Sequence, residues 1–371
     1  MRDFLMWKRL GWALALLALP LVLQTWGLHW VRVADVCLLY VMLALGLNVV
    51  VGFAGLLDLG YVAFYAVGAY GLALLASPHL TEQFALLAQW FPAGLHAPPW
   101  LTLPLGAVVA ALLGMALGAP TLKLRGDYLA IVTLGFGEIV RILLINLNHP
   151  VNLTEGARGL GMIDPLRLGP LDLGQPLRWG GWEWPSVTLH YYLFLGLVML
   201  AVVACGRLQR SRTGRAWAAI RDDEMAARAM GIDTRRYKLL AFAVGASMGG
   251  VAGACFSAFQ GFVSPEVFSL QESVTLVAMV VFGGMGHIPG VILGAVLLTA
   301  LPEALRYVVG PIHQWTDGRV DAGLLRPALT AALMVLTMLW RPRGLWPAPD
   351  TGRSQGPQTE RTPISPPDHR L

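Results

Sequence analysis

Long apolar runs fill most of the chain, and the polar stretches between them set its layout. One helical crossing of a bilayer takes about 20 apolar residues. On that measure the pattern predicts about ten crossings, at residues 10–26, 33–51, 60–76, 101–118, 128–147, 191–205, 239–259, 272–282 (short), 288–309 and 324–340. The expected fold is therefore an all-α polytopic membrane protein. A loop rich in Pro and aromatic residues, 77–100, follows the third run. A long polar segment, 148–189, follows the fifth; it carries Trp182 and Trp184, which suit a membrane–water interface. Residues 1–340 read as the membrane domain, and the Pro-, Gln-, Thr- and Arg-rich piece 341–371 as a disordered tail.

The longest charged interruption is 207–238, with Arg207, Arg210, Arg212, Arg215, Arg221, Arg228, Arg235, Arg236 and Lys238 among Asp222, Asp223, Glu224 and Asp233. Basic loops stay on the cytoplasmic side because Lys and Arg resist translocation. Ten crossings place both termini on that side too, with Lys8, Arg9, Lys123, Arg125, Arg341 and Arg343, and put 148–189 on the far side. The N-terminus has the charge-then-apolar layout of a signal peptide, but no small-residue cleavage site follows, so it reads as a retained first span. Within the loop, 216–230 is expected to be a single Ala-rich helix about 22 Å long. Glu224 precedes Arg228 by four residues, Gly231 suits the left-handed position after a helix, and Asp233 can cap the next one. This segment is either a solvated charged linker or a compact knob that another protein grips.

Composition agrees with the pattern. The chain is 56% hydrophobic and 13% charged, against about 25% charged in soluble domains, and its mean hydropathy is +0.60. Topology accounts for the net charge of +5, and no aromatic-interleaved basic patch points to nucleic acid. Cys37, Cys205 and Cys255 lie singly in apolar runs and read as small core residues, with no metal spacing. Phosphate-loop, zinc-protease and nucleophile-elbow motifs are absent from the sequence, so no catalytic residue is assigned.

Two junctions hold too many glycines for ordinary turns. One is Gly52-Phe53-Ala54-Gly55-Leu56-Leu57-Asp58-Leu59-Gly60; the other is Gly283-Gly284-Met285-Gly286-His287-Ile288-Pro289-Gly290. They read either as broken or re-entrant helices lining a translocation route or as close helix packing, as at Gly68, Gly71, Gly245, Gly249 and Gly253. Asp58 belongs to the first junction and faces either a water-filled cavity or the cytoplasmic surface. Glu138 with Arg141, and Glu303 with Arg306, are spaced three apart within spans and read as structural ion pairs.

Several of these blocks resemble one family. The run Leu47-Asn48-Val49-Val50-Val51-Gly52-Phe53-Ala54-Gly55, with Gly60-Tyr61-Val62-Ala63-Phe64, is similar to the second and third spans of permeases from bacterial branched-chain amino-acid ABC importers. Leu124-Arg125-Gly126-Asp127-Tyr128, Gly137-Glu138-Ile139-Val140-Arg141 and Thr154-Glu155-Gly156-Ala157-Arg158-Gly159-Leu160 resemble the M-type subunit in particular. Gly214-Arg215-Ala216, Ala219-Ile220-Arg221, Glu224, Ala226-Ala227, Gly231-Ile232 and Tyr237-Lys238 match the family's cytoplasmic loop, and Arg341-Pro342-Arg343-Gly344-Leu345 matches its close. The resemblance implies a ten-span permease in the inner membrane. It would pair with a related H-type permease, dock on two cytoplasmic ATPases, and receive amino acid from a periplasmic binding protein. It implies that Arg215, Ala219, Arg221, Glu224, Ala226, Ala227 and Gly231 form the coupling helix seated in an ATPase groove. The tentative pathway residues are then Asn48, Gly52, Gly55, Asp58, Gly60, Gly283, Gly284 and Gly286. The chain itself would bind no cofactor, ATP being used by the partners. Leu56, Asp58, Tyr61 and Glu155 depart from the family pattern and leave the amino acid or amide carried open.

A rival reading is an ion-coupled secondary transporter of a small polar solute. It needs unpaired acids deep in the spans, and only Asp58 hints at that.

Overall fold

A computed structural model describes residues 15–315, apart from positions 93, 122, 123, 125, 170, 180 and 181, and parts of 328–346. The expectations for Lys8, Arg9, Lys123, Arg125, Arg343, most of the tenth span and the tail beyond 346 lie outside the described residues.

Helices α1 (Ala15–Trp26) and α2 (Leu28–Asn48) are separated at Gly27, whose φ of 127° suits glycine. A π-helical turn, Val49–Phe53, extends α2 into the first junction. Helix α3 (Val62–Leu75) leads to two short helices, α4 (His79–Gln83) and α5 (Ala85–Trp90), and then to α6 (Pro99–Thr121) and α7 (Asp127–Asn146). Two small antiparallel hairpins interrupt the polar segment after α7. Strand β1 (Arg167–Leu168) pairs with β2 (Leu171–Asp172), and β3 (Leu177–Trp179) with β4 (Trp182–Trp184). Their registers set Arg167 opposite Asp172 and Arg178 opposite Glu183, both charge-matched. The remaining helices are α8 (Ser186–Arg210), α9 (Arg212–Asp222), α10 (Glu224–Ala229), α11 (Thr234–Gln260), α12 (Leu270–Gly283) and α13 (Ile288–Trp315).

Six described helical stretches are long and apolar enough to cross a membrane: Leu28–Phe53, Pro99–Thr121, Asp127–Asn146, Ser186–Arg210, Thr234–Gln260 and Ile288–Tyr307. Three shorter apolar helices, Ala15–Trp26, Val62–Leu75 and Leu270–Gly283, lie among them, so the chain is a multi-pass membrane protein. Two of the short ones correspond to the predicted third and eighth spans. Each has 14 residues, about 21 Å against a hydrocarbon layer of about 30 Å. Both abut a glycine-rich junction.

Contacts at the helix ends fix the directions. His29 and Arg32, at the start of α2, meet Glu303 of α13 and Gln260 at the end of α11. At the other end of α2, Asn48 meets Gly286, just before α13. Helix α2 therefore runs antiparallel to both α11 and α13. The centre of the bundle is built on close backbone approach. A Cβ on Gly68 of α3 would sit 2.0 Å from the Gly250 carbonyl oxygen of α11, and one on Gly250 would sit 2.5 Å from the Gly106 oxygen of α6. Without a hydrophobic drive between helices in lipid, such small-residue contacts carry the packing. Gly245, Gly249 and Gly253 pack in this way, but Gly71 has no atom within 4 Å of its Cβ position among the described residues. The three cysteines are free and buried.

Candidate functional site

The two glycine-rich junctions, more than two hundred residues apart in sequence, meet at one place. Asn48, at the end of α2, accepts the Gly286 N–H at 2.8 Å through Oδ1. A Cβ on Gly52 would lie 2.0 Å from that same Oδ1 and 2.5 Å from the Gly286 nitrogen, so only glycine lets the segments touch. The π turn leaves the Gly52 carbonyl free of the helix ladder, and Arg221 of α9 donates to it through Nη1. The Arg221 stem lies against Gly55, whose φ is 71°, and its Nη1 lies beside Gly286. Gln209 donates to the Gly286 carbonyl at 3.4 Å. Asn48, Gly52, Gly55, Gly286 and Arg221 thus form one cluster.

Gly283 and Gly284 stand behind it. Gly344 packs on Gly284, and the next two residues continue the contact as backbone: Leu345 donates to the Phe282 carbonyl at 2.9 Å and Trp346 to the Gly283 carbonyl at 3.2 Å. These bonds satisfy the carbonyls that the break at the end of α12 leaves bare.

Asp58 is buried within the described residues. It is 2% exposed, and its Oδ1 caps the Gly60 N–H at 2.9 Å. The Thr133 hydroxyl of α7 accepts the Leu59 N–H at 3.0 Å, and Gly60 packs on Gly137 of the same helix. Asp58 and Gly60 therefore tie the first junction to α7 rather than to Arg221. Among the positions that depart from the family pattern, Tyr61 donates to the Gly245 carbonyl at 2.8 Å, and Glu155 takes a left-handed φ of 54°, a conformation a glycine adopts without strain.

The loop carrying Arg221 is two helices, not the single helix expected at 216–230. Asp223 breaks it: its backbone is extended, and its carboxylate accepts the Met225 and Ala226 N–H groups at 2.8 and 3.1 Å as the cap of α10. Ser211 caps α9 and Asp233 caps α11 in the same manner. Gly231 has the expected left-handed φ, 81°. Trp217 is fully buried and donates through Nε1 to the Tyr237 carbonyl at 2.7 Å, fixing α9 against the start of α11. Glu224 binds Lys238 at 2.8 Å and Arg228 at 2.6 Å. Burial alone would raise the Glu224 carboxyl, but Lys238 and then Arg228 outweigh it and hold it below its ordinary value. Ala227 is buried and Ala219 half-buried, while Arg215, Ala226 and Gly231 are exposed. Met225 and Met230, at 61% and 83% exposure, give the outer tip an apolar character. A cavity of about 210 Å³ lies between this loop and the first junction, lined by Gly55, Leu57, Leu129, Ile220, Arg221 and Lys238.

Both predicted ion pairs form. Arg141 Nε donates to the two Glu138 oxygens at 2.9 and 3.1 Å. Arg306 lies 3.9 Å from Glu303, which also meets His29 at 3.3 Å and so braces α13 against α2, away from the junctions. Two acids were missed. Asp35 of α2 is fully buried, and neither carboxylate oxygen has a hydrogen-bond partner among the described residues. Glu272 of α12 accepts the Tyr40 hydroxyl. Both lie inside predicted spans, where any acid is a signal.

Comparison with known proteins fits this geometry. Residues 30–340 match the family described as branched-chain amino acid transport system / permease component. The high-affinity branched-chain amino acid transport system permease protein LivM of Escherichia coli is 43% identical over 329 residues, covering 85% of this chain and 70% of that protein. Its Salmonella typhimurium counterpart is 44% identical over the same lengths. The LivH permease of Escherichia coli is 26% identical over 320 residues, covering 84% of this chain and 92% of that protein. No solved structure matches. On these grounds the chain belongs to the branched-chain amino-acid permease family, as a LivM-type member.

Proposed function

We propose that this chain forms, with a related H-type permease, the transmembrane pathway of an ATP-driven importer for branched-chain amino acids. In this reading residues 1–340 are a permease domain of ten crossings, with the two junctions as breaks at membrane depth. The protein sits in the bacterial inner membrane. Both termini and 207–238 face the cytoplasm, and 148–189 faces the periplasm. Two separate ATPase subunits hydrolyse ATP, a periplasmic binding protein delivers the amino acid, and this chain binds no cofactor.

The observation that carries the reading is the reach of Arg221 from the water-facing loop to the meeting point of the junctions. Helices α9 and α10 seat in an ATPase groove, with the exposed Ala226 at the contact, Met225 and Met230 as its adaptable apolar surface, Arg215 and Ala219 flanking it, and Glu224 and the buried Ala227 holding α10 from behind. Closure of the ATPases pulls this pair of helices. Trp217 passes the pull to α11, and Arg221 passes it to Gly52 and Gly286. Asn48 and the glycines then serve as the hinge of the route.

The test is uptake of labelled leucine by the complete assembly in proteoliposomes, started by ATP with no imposed ion gradient. Uptake that follows ATP supports the reading. Uptake that a protonophore abolishes while ATP persists favours the ion-coupled alternative and refutes it.

A further inference from the structure

Glu138 and Arg141 stand near the middle of α7. Glu138 is eleven residues from the first residue of a 20-residue helix, about 17 Å along its axis. Their side chains are 37% and 28% exposed. A charge pair facing hydrocarbon at that depth is costly, so this face meets polar space or protein in the working assembly. The pair also lies on the stripe Leu134, Glu138, Arg141, Ile145, where the buried and outward faces of α7 meet.

Mostly apolar side chains surround Glu138. Glu138 lines a gap with Leu59, Val62, Leu134, Phe268 and Ser273. The gap holds about 10 Å³, room for one water at most, so it is shut in this conformation. Its floor is the first junction: Gly60 packs on Gly137, Thr133 holds the Leu59 N–H, and Ser273 donates to the Leu59 carbonyl. Arg221 grips the same junction from its other end, at Gly52. A pull on the loop therefore reaches the floor of this gap.

We infer that Glu138 and Arg141 are a mid-membrane relay site for the zwitterionic head of the transported amino acid. The inference rests on the importer reading above. Arg141 presents a planar fork that matches a carboxylate, and Glu138 accepts an ammonium. With the substrate in place, each trades its partner on α7 for the opposite charge on the ligand, so no charge is left unpaired. Leu59, Val62, Leu134 and Phe268 supply apolar walls for a branched side chain.

Three variants of the complete assembly test this: E138Q, R141Q and the double E138Q/R141Q. A pair with only a structural role suffers from either single change, which strands one charge, and recovers when both charges go. A head-group site does not recover. The expected result is a fall in leucine uptake per ATP of about tenfold or more in all three variants, with the second permease still co-purifying. Uptake by the double variant within about twofold of the native ratio overturns the site. Loss of the second permease from the double variant also overturns it, because the pair is then a contact between subunits. If the native assembly takes up no leucine under ATP, the importer reading itself falls and this site falls with it.

Discussion

Replacing Arg221 by Met keeps an apolar stem against Gly55 and removes the donor to the Gly52 carbonyl. A hydrogen bond from a charged donor contributes about 1.5–3 kcal/mol. Arg221 keeps solvent access, so the lower end, about 1.5 kcal/mol, is the appropriate figure. That is about a tenfold change in the balance between a junction that follows the loop and one that does not. The assay is leucine taken up per ATP hydrolysed in proteoliposomes holding the whole assembly. R221M is expected to lower this ratio about tenfold while the ATPases still co-purify, since the Arg221 guanidinium turns inward, away from the tip formed by Met225 and Met230. R221K, which keeps one donor on a shorter reach, is expected to fall between R221M and the native chain. A native ratio in R221M would refute the view that this side chain carries motion from loop to junction.

Two further outcomes follow from the geometry. G68A forces a methyl to within 2.0 Å of the Gly250 oxygen, whereas G71A on the same helix meets nothing within 4 Å; the first is expected to cost about 1–3 kcal/mol and lower the thermal midpoint in detergent, the second to be neutral or slightly stabilising, and equal midpoints would discount the α3–α11 contact. The Glu224 carboxyl is held below its ordinary 4.5 in the folded protein, so its stabilisation of α10 is complete above about pH 4.5 and is lost as pH falls through the lower folded value. Hydrogen exchange at residues 224–230, corrected for intrinsic rates, is expected to rise on acidification in the native chain but not in E224Q; identical profiles would show that the contact with Lys238 does not hold the helix.

Local signals in the sequence were enough for the local features. Apolar run lengths located the six long apolar helices, Gly231 marked the left-handed turn, and Asp233 marked the start of α11. The break at Asp223 was missed because an Ala-rich run favours a continuous helix, while the side chain of a single Asp captures two backbone N–H groups and stops it. Each junction stood out by its glycines, but their meeting is tertiary: nothing near Asn48 in sequence indicates that Gly286 will lie 2.8 Å away. The inward turn of Arg221 was hidden for a similar reason, since one basic residue among many gives no hint of its direction. Asp35 was legible by rule and passed over, because a long apolar run makes a single acid easy to discount within a span.

The backbone bonds from Leu345 and Trp346 to the carbonyls of Phe282 and Gly283 have a consequence for biogenesis. Translation runs from the N-terminus, so α12 is made some sixty residues before the segment that completes its broken end. Until then the second junction lacks its backing, and a nascent chain holds Asn48, Gly286 and Arg221 without the clasp behind them. Completion of the junction is in this way tied to near-complete synthesis, and a product cut short before Gly344 would carry every long helix described here yet leave that junction unfinished.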